Sequence, residues 1–302
     1  MQLEQLEYFL TAARFEHVTN AAKACSISQP ALSNAIARLE NELGVELFDR
    51  SGRNIRLNQF GSAFRTHLER GFAEIDQAVR EVREMAGLEA GTIALGADSP
   101  ELLVRPICAF MAQHPQVHLR ESQGNMSALF RRLESGQLDF VICERSSSAG
   151  DFSWIPLAVD RLVLLTPPDH PLAERETAAL GDLAGERLVC TRPGVGLRDT
   201  LDLLLQAENL SPSIIFEGDD SDTIELLVAQ GSGLTVVSGL ALRVNGGTKL
   251  RPFAQVPLAG ESCTRELGIY SCRDHFMSQS AQLFLEHLQA FFAGFQESDP
   301  YQ

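Results

Sequence analysis

Residues 21–50, AAKACSISQPALSNAIARLENELGVELFDR, decide the N-terminal fold. Leu32, Ile36, Leu39 and Leu43 recur at helical spacing and fall on one face. Pro30, Asn34, Ala37 and Arg38 lie opposite them, with Gln29 and Ser33 on the flank near the N-terminal end. Ser28 can cap this helix, and Pro30 falls in its first turn, where a missing N–H costs little. Just upstream, Ala21, Ala22, Ala24 and Cys25 read as a second short helix, with Thr19 as its expected N-cap. Its small side chains let the next helix cross closely, and Cys25-Ser26-Ile27 makes a tight turn between the two. Leu3, Leu6, Leu10 and Ala13 place a further helix before them. Two short helices joined by a tight turn are a helix-turn-helix candidate.

Such a motif sets the N-terminal side chains of its second helix into the major groove, where amides and hydroxyls bond base edges. Gln29, Ser33 and Asn34 carry that chemistry in that place. Beyond Gly44, the segments 45–48 and 55–57 flank Ser51-Gly52-Arg53-Asn54, which reads as a small wing whose Arg53 could reach phosphate or the minor groove. The competing reading is a structural helical bundle whose polar face is merely solvated. Residues 1–58 hold 6 basic and 7 acidic side chains, a weak electrostatic footprint for DNA.

The run Ala21-Ala22, then Ser28-Gln29-Pro30-Ala31-Leu32-Ser33, Ile36-Ala37-Arg38-Leu39-Glu40 and Leu43 through Arg50, resembles the LysR-type transcriptional regulators over the whole N-terminal region. The resemblance implies a winged helix-turn-helix, with Gln29, Pro30 and Ser33 where its members contact DNA; Ser28, Asn34, Arg38 and Arg53 complete the expected DNA-binding set from the reading of the residues themselves. Many members carry a basic residue followed by Gln after that Ser, whereas this chain has Asn34-Ala35. The departure bears on which bases are read and on phosphate anchoring, not on the fold.

Phe60, Phe64, Leu68, Phe72, Ile75, Val79, Val82 and Ala86 step by three or four, which predicts one helix over 59–86. An apolar stripe of that length needs a partner, either a second copy of the chain or the chain's own second domain. Proteins resembling this one dimerise through this helix and often pair again as tetramers. Gly87 and Gly91 mark the expected hinge.

From about residue 90 the pattern alternates strand and helix. Strands at 92–96, 117–120 and 139–143 with helices near 100–113 and 126–135 form a βαβαβ order, hence a parallel sheet covered on both faces. A second set runs through strands at 162–165, 188–190, 213–216 and 234–237, with helices near 196–209 and 222–230. A strand at 266–271 and a helix at 279–294 return to the first set. The expected organisation is a winged helix-turn-helix over 1–58, a linker helix and hinge over 59–89, and a two-lobed α/β domain over 90–302. Lobe one covers about 90–160 and 266–302, and lobe two about 161–265, with a ligand between strand carboxyl ends.

Ser135 through Ile142, Asp169-His170-Pro171-Leu172 and Val228 through Leu234 resemble the effector-binding domain of the same family, which is similar to periplasmic binding proteins. That resemblance maps effector contacts onto Asp98, Ser99, Pro100, Met126, Ser127, Thr191, Arg192, Glu217 and Gly218. Met126 stands where many members carry a small hydroxyl residue. Ser99 reads equally as a helix N-cap, and Arg192 as the partner of a neighbouring Asp. Glu217, Asp219, Asp220 and Asp222 near the expected cleft rim favour a neutral or amine-bearing effector over a dianion.

The 302 residues are 44% hydrophobic and 22% charged, the composition of a globular chain with about two structural units. Net charge is 25 − 40 = −15, against a protein that coats nucleic acid nonspecifically. MQLEQLEYFL is acidic and amphipathic rather than a signal peptide, and no apolar run approaches a membrane span, so a cytoplasmic location is expected. Gly194-Val195-Gly196 and Gly231-Ser232-Gly233 do not complete a dinucleotide fingerprint, and no HExxH or GxSxG occurs, so no enzymatic activity and no cofactor or metal is expected. The 6 cysteines are dispersed and read mostly as buried thiols. A thiol sensor is the alternative reading, and a ligand-sequestering module without DNA function is another. The expected partners are promoter DNA, a small-molecule effector and further copies of the chain, with RNA polymerase a further candidate and no membrane.

Overall fold

The computed structural model describes residues 1–51, 54–86, 91–146, 149–150, 152–246, 253–273 and 277–296. Met1–Arg80 and Glu81–Gln302 form two compact units.

The first unit packs α1 (Leu3–Phe15), α2 (Val18–Ala24) and α3 (Gln29–Leu43) around Phe9, Ala12, Ala21, Ala22, Leu32, Ile36 and Leu39, all buried. The helix-turn-helix forms as the small residues predict. Ser26 takes a left-handed conformation (φ 58°) between α2 and α3, and the N–H groups of Ser26 and Ile27 donate to Lys23 and Ala22 carbonyls. His17, not Thr19, caps α2: its Nδ1 accepts the Asn20 N–H at 3.4 Å, and Thr19 lies inside the helix. Two further residues fit before Thr19 because α1 ends at Glu16 in a left-handed turn.

The wing is a hairpin of β1 (Phe48–Ser51) and β2 (Asn54–Leu57), with Phe48 opposite Leu57. Its first strand starts three residues later than the expected 45–48. The buried Glu40 carboxylate accepts the Leu47 N–H at 2.8 Å, which ties the preceding stretch to α3 instead of the hairpin. Helix α4 (Gln59–Met85) runs 27 residues, about 40 Å at ~1.5 Å per residue. Asn58 caps it by accepting the Gly61 N–H at 2.9 Å. Gly61 is obligatory there, since a Cβ would sit 2.1 Å from the Leu47 carbonyl oxygen. Phe64 and Leu68 pack into the core of the small unit, and Phe9 and Phe64 rings meet at 5.2 Å. Gly87 of the expected hinge lies outside the described residues.

The second unit is built on a seven-stranded sheet. In chain order its elements are β3 (Thr92–Ala97), α5 (Val104–Gln113), β4 (His118–Gln123), α6 (Met126–Glu134), β5 (Phe140–Glu144) and β6 (Ser153–Thr166). There follow β7 (Arg187–Thr191), α7 (Leu197–Ala207), β8 (Ser213–Gly218), α8 (Ser221–Ala229), β9 (Thr235–Ser238) and α9 (Gly239–Val244). The last three are β10 (Ala254–Pro257), β11 (Thr264–Ser271) and α10 (Gln279–Gln296). Strand β3 pairs in parallel with β4 and β5, as the βαβαβ order predicts. The expected helix over 100–113 divides into a short 3-10 turn, Pro100–Leu102, and α5.

Strand β6 departs most from expectation. The sequence suggests a short strand at 162–165, but 14 residues form it. Its first half pairs antiparallel with β11, Arg161 opposite Thr264 and Ser153 opposite Ser271, and its second half pairs with β9 and β10. One strand therefore belongs to both lobes. Leu162 and Leu164 face one core and Val163 and Leu165 another, so the apolar run is continuous because both faces are buried. Parallel strands β7 and β8 complete the second lobe.

Candidate functional sites: an exposed helix face and an interlobe cavity

Helix α3 presents the expected polar face. The Ser28 hydroxyl accepts the Ala31 N–H at 3.3 Å and Pro30 occupies the first turn, which fixes the helix start. Ser28, Gln29, Pro30, Asn34 and Arg38 are exposed and Ser33 is half-buried, while Leu32 and Leu39 opposite are fully buried. Arg53 lies outside the described residues. On α4, Phe60, Ile75, Val79 and Val82 are exposed and Phe72 is half-buried, so the stripe continues past the part that the small core covers.

In the second unit a cavity of about 430 Å³ opens at the carboxyl ends of β3 and β7. Asp98, Ser99 and Pro100 after β3, and Thr191 at the end of β7, line it as expected. Five other expected contacts are absent from its wall among the described residues. Met126 packs on the cluster around Leu129, and Ser127 is exposed in the first turn of α6, which Asn125 caps. Arg192 pairs with Asp219 at the exposed rim, the Asp alternative. The Glu217 carboxylate accepts from Arg198, and Gly218 closes β8, where its carbonyl accepts the Arg192 N–H.

Ser99 stands at the N-cap position of the 3-10 turn Pro100–Leu102, but its side chain makes no cap hydrogen bond. Its hydroxyl oxygen instead accepts from Arg265 Nη2 at 3.3 Å. Arg265 and Asp160 are both fully buried, lie opposite each other on β11 and β6, and pair at 2.9 Å. The second Asp160 oxygen accepts the Leu240 N–H at 2.8 Å. Burial pulls the Arg265 guanidinium toward deprotonation, but Asp160 and Asp98 outweigh it and hold the group charged.

Asp98 is itself buried, and that burial raises its carboxyl above the ordinary range despite Arg265 and the Ser99 hydroxyl. Glu101 touches solvent in the cavity yet is crowded by protein on its other sides, and the resulting desolvation raises it too. Arg198 at the start of α7 is buried to 6% exposure. Its Nε meets both Asp202 oxygens at 2.9 Å, and its Nη1 donates to the Thr191 carbonyl at 2.7 Å and to Glu217 at 2.6 Å. Among the described residues, no group of three His, Cys, Asp or Glu side chains is placed to hold a metal ion.

Comparison with known proteins accords with both units. Residues 3–62 match the bacterial regulatory helix-turn-helix protein, lysR family, and residues 86–293 match the LysR substrate binding domain. The chain belongs to the LysR family of transcriptional regulators. It is 36% identical over 296 residues to YybE, an uncharacterized HTH-type transcriptional regulator of Bacillus subtilis strain 168, covering 97% of this chain and all of that one. It is 31% identical over 298 residues to the dual regulator GltC of the same organism, covering 97% and 98%. Full-length CbnR, solved with its target DNA, superposes with a TM-score of 0.68 at 19% identity, covering 96% and 99%.

In this LysR-family chain the sequence reading missed Arg198, Arg265 and Asp160. Arg265 left a signal: it shares the strand face of Leu267 and Ile269, and a charge on an otherwise apolar alternating face requires a buried partner. Arg198 with Asp202 looks like an ordinary solvated i,i+4 pair, and only the fold turns it inward.

Proposed function

We propose that this LysR-family regulator reads promoter DNA with the exposed face of α3, and that a small-molecule effector in the interlobe cavity controls that binding or its geometry. One observation carries the reading: Asn34 and Arg38 stand exposed on the side of α3 opposite the face fixed in the core, with Gln29 exposed at the same helix's N-terminal end. Gln29, Ser33 and Asn34 read bases, while Ser28, Pro30, Arg38 and Arg53 position the backbone. The structure of CbnR complexed with its target DNA supports this use of the fold. Exposed Phe60, Ile75, Val79 and Val82 support pairing of two copies along α4, and the pairs assemble again as tetramers.

The protein works in the cytoplasm and is not an enzyme. Its curated relatives are transcriptional regulators, and no helix among the described residues is long and apolar enough to cross a membrane. Burial raises the Cys143 and Cys263 thiols and pushes Cys190 up to about 11, which counts against these three as sensors, whereas Cys108 is exposed and thiol labelling of the native protein tests it.

The test is selection of genomic fragments by the purified full-length protein at physiological salt, followed by sequencing. Enrichment of a two-fold-symmetric site is expected. No enrichment, with or without cell extract, would sink the regulator reading and favour a ligand-sequestering module.

A further inference from the structure

The cavity wall has two electrical poles. One is the start of α7. Gly196 has no side chain to cap that helix, and among the described residues the Gly196 and Leu197 N–H groups donate to nothing. Both residues line the cavity, as does Arg198. The Arg198 side chain is more than nine-tenths buried, with Nε and Nη1 engaged by Asp202, Glu217 and the Thr191 carbonyl, while its Nη2 has no hydrogen-bond partner among the described residues. Open helix N–H groups beside a spare guanidinium N–H call for a carboxylate.

The other pole is acidic. Asp98 and Glu101 line the cavity, and among the described residues neither forms a direct ion pair with a protein cation. Asp98 is buried, Glu101 is exposed to the cavity but crowded on its protein side, and a ligand cation placed between them would favour the ionised form of both. The start of α7 adjoins the main chain that carries Asp98: a Cβ on Gly196 would lie 3.0 Å from the Asp98 carbonyl oxygen and 3.7 Å from Ser99 Oγ.

Resting on the reading of this cavity as the effector site, we propose that the effector is an α-amino acid, its carboxylate held by Arg198 and the start of α7 and its ammonium by Asp98 and Glu101. A dicarboxylate would place a second anion against Asp98 and Glu101. A diamine would leave the Arg198 N–H and the α7 N–H groups without an acceptor. A zwitterion adds no net charge and satisfies both poles. The 430 Å³ volume leaves room for a side chain beyond the α-carbon.

The experiment is calorimetric titration of the full-length protein with each of the proteinogenic L-amino acids, with succinate and putrescine as single-pole probes. At least one amino acid binds, and its N-acetyl and methyl-ester forms bind about tenfold more weakly or worse. Glu101→Gln and Arg198→Lys each weaken binding by a similar factor. Arg198 also anchors Asp202 and Glu217, so Glu101→Gln is the deciding variant if Arg198→Lys does not fold. Tighter binding of succinate or putrescine, or indifference to blocking either group, overturns the amino-acid assignment while leaving the effector cavity standing. Absence of binding by every amino acid overturns it as well. Failure of the regulator reading is recognised separately, by loss of site enrichment in the genomic selection.

Discussion

The α3 face and the cavity wall hold similar polar side chains under opposite obligations. Gln29, Asn34 and Arg38 are exposed and carry no internal duty, because Leu32, Ile36 and Leu39 behind them do the folding. Arg198, Arg265 and Asp160 are simultaneously part of the interior and neighbours of the site. A surface reader separates function from stability, whereas a built cavity merges them. Substitution of Gln29, Asn34 or Arg38 should change recognition alone, and substitution around the cavity should change folding as well.

The largest effect tests the cavity side. Asp160→Ala strands the buried Arg265 and removes the acceptor for Leu240 N–H, with an expected loss of about 3–5 kcal/mol in urea unfolding. A loss below about 1 kcal/mol would mean that the pair is dispensable, and the contrast would collapse. Next, Gln29→Ala should cost ~1–3 kcal/mol of discrimination at one base position, measured by competition binding on the enriched site. Its melting temperature should match the wild type, and a clear drop would tie α3's polar face to stability after all. Ser28→Ala removes an N-cap, so about 1 kcal/mol of stability should go, read by thermal denaturation.

The smallest effect concerns Glu101→Gln in the ligand-free protein. The folded-state carboxyl is raised, so the ionised form costs stability at pH values above its folded pKa. The variant should therefore melt slightly higher at neutral pH. That advantage should shrink as pH falls through the raised pKa and vanish below about pH 4, where the unfolded carboxyl is protonated too. A constant offset across this range would show that charge is not its source.

The sequence disclosed the small unit most fully because its signals are local. Amphipathic spacing, the Ser28 cap and the Ala21-Ala22 contact all lie within a few residues of what they determine. The wing's first strand began late because a contact seven residues back, Glu40 to Leu47, competes with hairpin pairing. In the larger unit the βαβ order was legible. The length of β6 was not, because its first half is a strand only through pairing with β11, over a hundred positions away. The same distance hid the Asp160–Arg265 pair. Arg198 stayed hidden since its sequence neighbours suit solvent as well as an interior.

Strand β6 also limits how the lobes can move. Domains joined by loops swing by changing a few backbone angles, but here the crossing is a single strand from Ser153 to Thr166, paired first with β11, across one irregularity at Leu157, and then with β9 and β10. Displacing one lobe must twist that strand between Arg161 and Leu162, where its pairing passes from β11 to β9 and β10. The joint is an elastic ribbon rather than a free hinge. It stores a torque as it turns and returns the lobes when the load is removed, so the resting geometry resets itself without a second signal.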